Sequence, residues 1–339
     1  MLSFLPSPIL FIINIILIPL NSIIIATPIQ VIGLLRLLLP FTPVVKALER
    51  TNYWLYRIWV FNNSWIIALT NGIKWHLSGD PIPHVKRSCI VISNHMSWAD
   101  IIIISCVFRG YIPVTKFFMK HSLIYIPFIG LACYALGMPF LRRYPREKLL
   151  KNPRLREADI KSTKRACQRL LLTPSSLINF VEGTRYTPVK ARAARSQYRH
   201  LMPPKAASVA IALGEIGKEV ECIFNTTLVY PYNRYPSRPF IDLLKGRMRD
   251  VYADIRIIKA GPENTGDYLG DKAYKHAFTM KLRDLWHEKD ARIGRILEEC
   301  GIEKPSEQVG SSAEVVAASA LDGADGSKQE AASAEDPKA

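Results

Sequence analysis

A histidine and a carboxylate interrupt an almost wholly apolar stretch of the sequence. Residues 88–104 read SCIVISNHMSWADIIII, and His95 and Asp100 stand five positions apart within them. This spacing is too long for neighbours one turn apart on a helix, so we place the pair on a strand-to-helix turn. A carboxylate folded back onto the imidazole would fix its tautomer and stabilise the imidazolium, as in a general base. In the alternative interpretation, Asn94 and Asp100 cap the turn and the helix, and His95 is an ordinary polar turn residue.

A second polar group follows another apolar run, in the segment NFVEGTRYTP, and consists of Glu182, Gly183, Thr184 and Arg185. Glycine permits a sharp turn, and the adjacent amides together with the guanidinium can face an anion. The planar fork of arginine matches two phosphate oxygens at once. The alternative is a simple β-turn that carries a surface arginine.

Two basic segments stand beside these groups. The segment GMPFLRRYPREK contains Gly137, Phe140, Arg142 and Arg143 ahead of a basic helix. Residues 183–214 contain no acidic residue but hold several cations, namely Arg185, Lys190, Arg192, Arg195, Arg199 and Lys205. A run of one sign next to two candidate anion sites favours a surface that faces phosphate.

Short apolar runs alternate with helical patterns between about residues 75 and 300. The runs CIVIS, YIPVTKF, SLINFVEG and CIFNTTLVYP are typical of strands, whereas WADIIIISCVFR, EADIKSTKRACQRLLL and PPKAASVAIALGEIG are typical of helices. Strands that alternate with helices predict an α/β layer architecture.

The N-terminus is apolar enough to enter a membrane. The first charged side chain is Arg36. A single helix over residues 4–35 would be roughly 48 Å long, against a hydrocarbon core of about 30 Å. We therefore expect breaks at Pro19 and Pro28, which give either one span with an interfacial helix or a re-entrant hairpin. This predicts membrane-embedded helices over residues 1–45 and an interfacial or linking helix over residues 46–75.

Composition narrows the possible binding partners and site types. The formal net charge is +16 and the pI is about 9.6, which suits nucleic acid, an anionic membrane or a phosphorylated substrate. Six cysteines without C-x-x-C spacing predict neither a zinc site nor a disulfide framework. Residues 305–339 are acidic and rich in Ala, Ser and Gly, and we expect a disordered tail there.

Taken in order, H-x-x-x-x-D, G-x-x-F-x-x-R and E-G-T-R resemble the motifs of the glycerolipid acyltransferase family, whose best-known members are the 1-acylglycerol-3-phosphate acyltransferases. A fourth family block, an apolar strand ending in proline, is similar to TTLVYP with Pro231. NHMSWADI, FIGLACYALGMPFLRRY, NFVEGTR and LMPPKAASVAIAL are similar in particular to the bacterial inner-membrane YihG branch. The resemblance extends to about residue 300 and leaves out the acidic tail.

The resemblance implies a fold and a reaction. The fold would be a mixed α/β sheet flanked by helices over residues 76–304, behind the membrane-embedded helices. His95 would take the proton of a lysophospholipid hydroxyl as it attacks an acyl thioester, carried by coenzyme A or acyl carrier protein, and Asp100 would hold the imidazole. Lysophosphatidic acid is the expected acceptor, without a metal ion or cofactor. The implied substrate-binding set is Arg142, Arg143, Glu182, Gly183, Thr184, Arg185 and Lys205.

Localisation and the rival functions complete the expectations. The basic body should remain on the cytoplasmic side of the inner membrane, among membrane phospholipids. Other acceptors, such as glycerol 3-phosphate or a lysophospholipid with a larger head group, stay open. A membrane-bound binder of anionic lipid without catalysis is the alternative from a different class. Nucleic acid binding has only the charge in its favour, since no recognition motif accompanies it.

Overall fold

The computed structural model describes residues 2–39, 41–141, 152–168, 170 and 173–303. By its internal contacts the chain divides into two units, residues 1–302 and residues 303–339, and only Glu303 of the second unit is described. The predicted acidic tail therefore lies outside the described residues, and so do Arg142 and Arg143.

Helices and strands alternate through most of the first unit. The helices are α1 Ser7–Leu38, α2 Thr42–Thr70, α3 Ala99–Val107, α4 Ile129–Ala135, α5 Pro153–Gln168, α6 Pro188–Ala193, α7 Ala206–Ile216, α8 Pro239–Leu244 and α9 Lys272–Glu299. The strands are β1 Lys74–Gly79, β2 Ser88–Ser93, β3 Val114–Phe117, β4 Met119–Lys120, β5 Phe140–Leu141, β6 Ser175–Phe180, β7 Val220–Val229 and β8 Asp250–Lys259. Short 3-10 turns cover His121–Tyr125, Gly217–Glu219, Pro231–Asn233 and Pro262–Asn264.

A six-stranded mixed sheet forms the centre of the fold, in the order β1-β8-β7-β2-β6-β3. All neighbouring pairs are parallel except β7 and β8, which are antiparallel. The central strand β2 is buried along its whole length, as expected of a parallel strand covered on both faces. The prediction of an α/β fold with a mixed sheet flanked by helices is confirmed.

The side chains of β2 alternate between two hydrophobic clusters. Cys89 and Val91 belong to a cluster that includes residues of α1, α2, α3 and α8. Ile90 and Ile92 belong to a second cluster, with residues of α5, α7 and α9. Successive side chains of a strand point to opposite faces, so β2 anchors a helical layer on each side of the sheet. This fixes the position of the turn that follows Ser93.

Four predicted strands and three predicted helices are present, but the sequence analysis did not predict β1, β8 or α9. β1 is a largely exposed edge strand without an apolar run. β8 interrupts its apolar residues with charged ones, such as Asp254 and Arg256. α9 has its buried residues on one narrow stripe and charged residues elsewhere, so its hydrophobic pattern is weak.

The expected breaks at Pro19 and Pro28 are wrong, because α1 is one continuous helix of 32 residues that contains both prolines. A proline has no backbone N–H and cannot donate the usual helical hydrogen bond. The contacts of α1 with α2 and α4 keep the helix continuous despite these two missing bonds. α2 begins at Thr42 and continues through residues 45 and 46, where the sequence predicts the end of the membrane-embedded helices. The division of the chain into these segments stays a prediction. Among the described residues, α1 is the one helix long and apolar enough to cross a membrane.

Candidate active site

The turns after β2 and β6 meet at one edge of the sheet. Ser93, the last residue of β2, pairs in register with Phe180 at the end of β6 and with Thr226 in β7. The three strands are parallel, so the residues that follow β2 and β6 emerge side by side. The backbone amide of Tyr186 donates to the carbonyl oxygen of His95 at 2.8 Å and links the two turns directly.

The structure brings His95 and Asp100 together. His95 Nδ1 lies 2.7 Å from Asp100 Oδ2, and the same oxygen accepts the backbone amides of Met96 at 2.6 Å and Ser97 at 2.9 Å. The Asp100 side chain is 1% exposed and that of His95 is 16% exposed. With Nδ1–H donated to the carboxylate, Nε2 carries the lone pair and can accept a proton from a ligand.

Tyr230 supplies a further donor that the sequence analysis missed. Its hydroxyl donates to Asp100 Oδ1 at 2.9 Å, and the side chain is fully buried. Burial raises the pKa of Tyr230 well above its ordinary value, and the neighbouring Asp100 charge raises it further, so the phenol stays protonated. The sequence does contain a signal for Tyr230, because this residue stands immediately before Pro231, at the end of the segment that resembles the fourth family block.

Asn94 fixes the backbone of the turn from the other side. Its Nδ2 donates to the carbonyl oxygen of Leu228 and its Oδ1 accepts the Leu228 amide, both at 2.9 Å. A side chain thus continues the pairing between β2 and β7 beyond the end of β2. The His95 ring stacks on Phe180, with centroids 4.1 Å apart and planes at 17°. These contacts set the position and the plane of the imidazole.

The second turn places Gly183 against Lys205. Gly183 has φ +69°, and a Cβ there would lie 3.2 Å from Lys205 Nζ, so glycine allows both the turn and the close approach of the ammonium. The Lys205 amide donates to the carbonyl oxygen of Val181 at 2.7 Å, just before the start of α7. The structure therefore brings two predicted substrate-binding residues together.

Thr184 and Arg185 lie on the outer side of this turn. Thr184 Oγ1 accepts from Lys190 Nζ at 3.2 Å. The exposed Arg185 guanidinium lies 5.1 Å from the ring centroid of Trp98, which is itself part of the turn after β2. A guanidinium on an aromatic face keeps its donors available at the edge. Arg185 thus contacts Trp98, which lies three residues after His95 in the turn that follows β2.

Glu182 points into the protein rather than to the surface. It is 1% exposed, Oε2 accepts the Met202 amide at 3.4 Å, and Oε1 has no hydrogen-bond partner in the described part of the chain. Burial raises the pKa of Glu182 well above its ordinary range. This position fits a role in shaping the turn and leaves no surface for contact with a substrate.

Lys289 lies behind the two turns, and the sequence analysis missed it because α9 was not predicted. The side chain is fully buried, and its Nζ donates to the carbonyl oxygen of Thr226, the register partner of Ser93. Burial lowers the pKa of Lys289 to about 7, although the nearby charge of Glu182 opposes that shift. α9 therefore holds β7 in place next to Ser93, the residue at which the turn with His95 begins.

Some predicted site residues are not placed. Arg142 and Arg143 lie outside the described residues, so their relation to the two turns stays a prediction. Across residues 2–39, 41–141, 152–168, 170 and 173–303, no group of three or more His, Cys, Asp or Glu side chains is arranged to hold a metal ion.

Residues 75–231 match the family model described as Acyltransferase. This part of the chain is similar to an acyltransferase domain. The matched range begins at β1 and ends just after Tyr230, so it includes both turns but not α9, and it covers slightly less than half of the chain.

Relatives of known description are similar over different parts of the chain. The protein is 25% identical over 255 residues to 1-acyl-sn-glycerol-3-phosphate acyltransferase 3 of Arabidopsis thaliana, covering 71% of this chain and 61% of that protein. It is 28% identical over 129 residues to the lyso-ornithine lipid O-acyltransferase of Rhodobacter capsulatus, covering 38% of this chain and 41% of that protein. The chain thus spans less than two thirds of the length of these relatives.

A solved structure is also similar. The 1-acyl-sn-glycerophosphate acyltransferase PlsC from Thermotoga maritima matches over 80% of this chain and 98% of its own, with a TM-score of 0.43 and 15% identity.

Proposed function

We propose that the protein transfers an acyl group from an acyl thioester to the free hydroxyl of a lysophospholipid, with 1-acylglycerol 3-phosphate as the acceptor and phosphatidic acid as the product. The observation that carries this proposal is the His95–Asp100 pair, with the exposed Arg185 on Trp98 of the same turn, within the residues that match the Acyltransferase family model. A binder of anionic lipid without catalysis needs the cations but has no use for an oriented imidazole.

In the proposed reaction, His95 acts as a general base. Nε2 removes the proton from the acceptor hydroxyl as its oxygen attacks the carbonyl carbon of the thioester. The C–S bond then breaks, and the leaving thiolate takes the proton from the imidazolium. Asp100 stabilises the imidazolium in between, and no metal ion, cofactor or serine nucleophile is needed. General-base catalysis of this kind contributes about 10²–10⁴-fold to the rate.

The acceptor phosphate provides the rest of the recognition in this proposal. Arg185 can bind two phosphate oxygens, and Lys205 adds a point charge beside Gly183. Thr184 completes this side of the turn, while Glu182 and Gly183 set its shape. Arg142 and Arg143 stay candidates for a further contact with the same phosphate. Positioning the hydroxyl next to the thioester is the larger part of the catalytic task.

We further propose that the protein lies on the cytoplasmic face of the inner membrane, with α1 entering from that side. Polar side chains bind α1 to the rest of the unit along its length: Arg247 Nε donates to Ser7 Oγ, Asn14 Nδ2 to the Leu244 carbonyl, and Arg36 to the Ala135 carbonyl. Because both ends of α1 are bound to the rest of the unit, α1 cannot cross the bilayer unless those residues enter it too. Its free face is apolar and includes Ile12, Ile16, Ile24, Val31 and Leu34.

An acceptor panel tests the proposal. Purified protein is offered labelled acyl-CoA or acyl carrier protein with 1-acylglycerol 3-phosphate, glycerol 3-phosphate or a lyso-ornithine lipid, the last chosen because of the Rhodobacter relative. We expect product from 1-acylglycerol 3-phosphate. A preference for the phosphate-free lyso-ornithine lipid would contradict the proposal that 1-acylglycerol 3-phosphate is the acceptor. The absence of product from every donor and acceptor pair would contradict the proposed acyltransferase activity. Membership of the YihG branch stays a prediction.

A further inference from the structure

A cavity of about 540 Å³ lies between α2 and the edge strand β3, away from the candidate active site. Its walls include Pro113 and Val114 at the beginning of β3, and Thr173 and Pro174 just before β6. His95, in contrast, follows the far end of the neighbouring strand β2. The cavity therefore lies near the N-terminal edge of the parallel strands, opposite the two turns described above.

Asn52 lines this cavity and has unmet hydrogen-bonding capacity. Its side chain is completely buried, and neither Nδ2 nor Oδ1 has a hydrogen-bond partner in the described part of the chain. Leaving a buried polar group unsatisfied costs about 1–3 kcal/mol. Asn52 therefore forms a polar but closed part of the cavity wall.

Lys116 lines the same cavity and is only 4% exposed. Its Nζ lies against Gly137, where a Cβ would be 3.4 Å away, and it forms no ion pair with a described residue. Glu49, a neighbouring carboxylate, is bound by Arg36 at 2.5 Å. Burial lowers the pKa of Lys116 to about 8, with Glu49 opposing and Arg36 adding to that shift. A buried ammonium in this setting calls for a counter-charge.

Three exposed cations stand at the entrance, Lys46, Arg50 and Lys86. With Lys116 they make four cations around a cavity whose lining carboxylate is already paired. Several cationic donors around one cavity suit a phosphate group, which offers several acceptor oxygens.

A groove of about 830 Å³ adjoins the cavity and shares Val85 and Pro113 with it. Aromatic side chains such as Trp54, Phe61 and Phe108 line much of the groove, and the cations Arg57, Lys86 and Arg109 line the rest. Both spaces border α2, which packs along α1, the described helix that is long and apolar enough to cross a membrane. A cavity lined by four cations, next to a groove with large aromatic walls, suits a molecule with a phosphate and an acyl chain.

We infer that this cavity binds the phosphate group of an anionic lipid, at a site separate from the proposed acceptor site. The acyl chain lies in the adjoining groove. The inference does not depend on the proposed function, since it concerns binding at the other end of the strands.

Binding of a short-chain lipid tests this site. The full chain is purified in an uncharged detergent, with Arg185→Ala introduced to weaken the proposed acceptor site. Titration calorimetry then measures binding of dihexanoyl phosphatidic acid, of dihexanoylglycerol, which lacks the phosphate, and of inorganic phosphate. We expect one saturable site for the phosphatidic acid, at least tenfold weaker binding of the other two ligands, and at least tenfold loss of affinity in Lys116→Met.

Surface variants keep the test decisive if Lys116→Met does not fold. Exchanging the entrance residues in a Lys46→Gln, Lys86→Gln double variant should weaken binding severalfold, whereas Lys272→Gln, an exposed lysine at the start of α9, should leave it unchanged. Equal binding of dihexanoylglycerol, or unchanged affinity in both cavity variants, would overturn the site. Inorganic phosphate binding as tightly as the lipid would overturn the assignment to a lipid.

Discussion

The turn after β2 and the turn after β6 lie side by side but are stabilised differently. In the first, Asp100 accepts four hydrogen bonds, from His95, Tyr230 and two backbone amides. In the second, Glu182 keeps one carboxylate oxygen without a partner among the described residues, and Arg185 is exposed on the ring of Trp98.

Under the proposed function, this difference separates two tasks. Proton transfer needs a base held in one orientation, and the closed hydrogen-bond network of the first turn provides it. Phosphate binding needs cations whose partner arrives with the substrate, and the outer side of the second turn provides those. Variants that act on one turn and not on the other test this division of labour.

The largest effect after loss of the base itself should come from Asp100→Asn. The amide can still accept hydrogen bonds but no longer stabilises the imidazolium, so we expect kcat to fall about 100-fold or more. Steady-state kinetics measure this, with Asp242→Asn as the control, because Asp242 also accepts hydrogen bonds, from Asn233 and Ser237, away from the site. A fall in kcat of less than threefold would remove Asp100 from the mechanism.

Arg185→Ala should affect substrate binding instead of the proton transfer. Loss of a charge-assisted contact worth about 1.5–3 kcal/mol predicts a KM for the phosphate-bearing acceptor that is at least about tenfold higher. The KM for the acyl thioester should not change. Arg192→Ala, an exposed arginine in the same basic run, is the control. An unchanged acceptor KM in Arg185→Ala would contradict the assignment of the second turn to phosphate.

Lys289→Met tests the support behind both turns through the pH dependence of stability. With its pKa lowered to about 7, the lysine is neutral in the folded protein and charged in the unfolded one above that pH. The unfolded state then binds more protons, so the stability of the wild type should rise with pH from about 7 towards 10.5, by at most about 1.4 kcal/mol per pH unit.

Urea titrations between pH 7 and 9.5 measure this rise relative to the variant. Because Lys289→Met lacks the titrating group, its stability should gain less over the same range. Glu182, Arg292 and Asp254 face Lys289 and are present in both proteins. Lys281→Met, on the same helix, should behave like the wild type. Parallel pH profiles for wild type and Lys289→Met would show that Lys289 is charged when folded.

The smallest effect should come from Tyr230→Phe, which removes one of the four donors to Asp100. A hydrogen bond to a charged group is worth about 1.5–3 kcal/mol, and the three remaining donors offset part of that loss, so we expect kcat to fall about fivefold. Tyr111→Phe, an exposed tyrosine three residues before the start of β3, should leave kcat unchanged. A loss as large as that of Asp100→Asn would instead assign Tyr230 a direct part in the reaction.

The sequence predicted His95 and Asp100 of the first turn better than it predicted the distant residues that hold this turn in place. The apolar run before His95 and the start of α3 at Ala99 are local signals, so the contact with Asp100 could be expected from them. Asn94, Tyr230 and Lys289 act through partners more than 60 residues away, as in the contact between Lys289 and Thr226. A local pattern can mark such a residue, as Pro231 marks Tyr230, but not its distant partner, because the strand and the helix that carry these contacts become neighbours only in the folded sheet.

The N-terminal helices illustrate the opposite error. Pro19 and Pro28 are strong local signals for a break, yet α1 is continuous. Its packing on α2 and α4 outweighs the local preference, because tertiary contacts along a long helix exceed the cost of a proline. Local signals thus predicted the contact between His95 and Asp100 at the end of β2, and they failed where distant contacts decide the structure.

The most direct test of the account is the activity of His95→Ala. Washed membranes with wild type or variant at matched abundance are assayed for transfer of a labelled acyl group from acyl-CoA to 1-acylglycerol 3-phosphate. The account predicts product in the wild type and a loss of about 10²–10⁴-fold in the variant. Equal activity in the two would contradict His95 as the base and the mechanism with it.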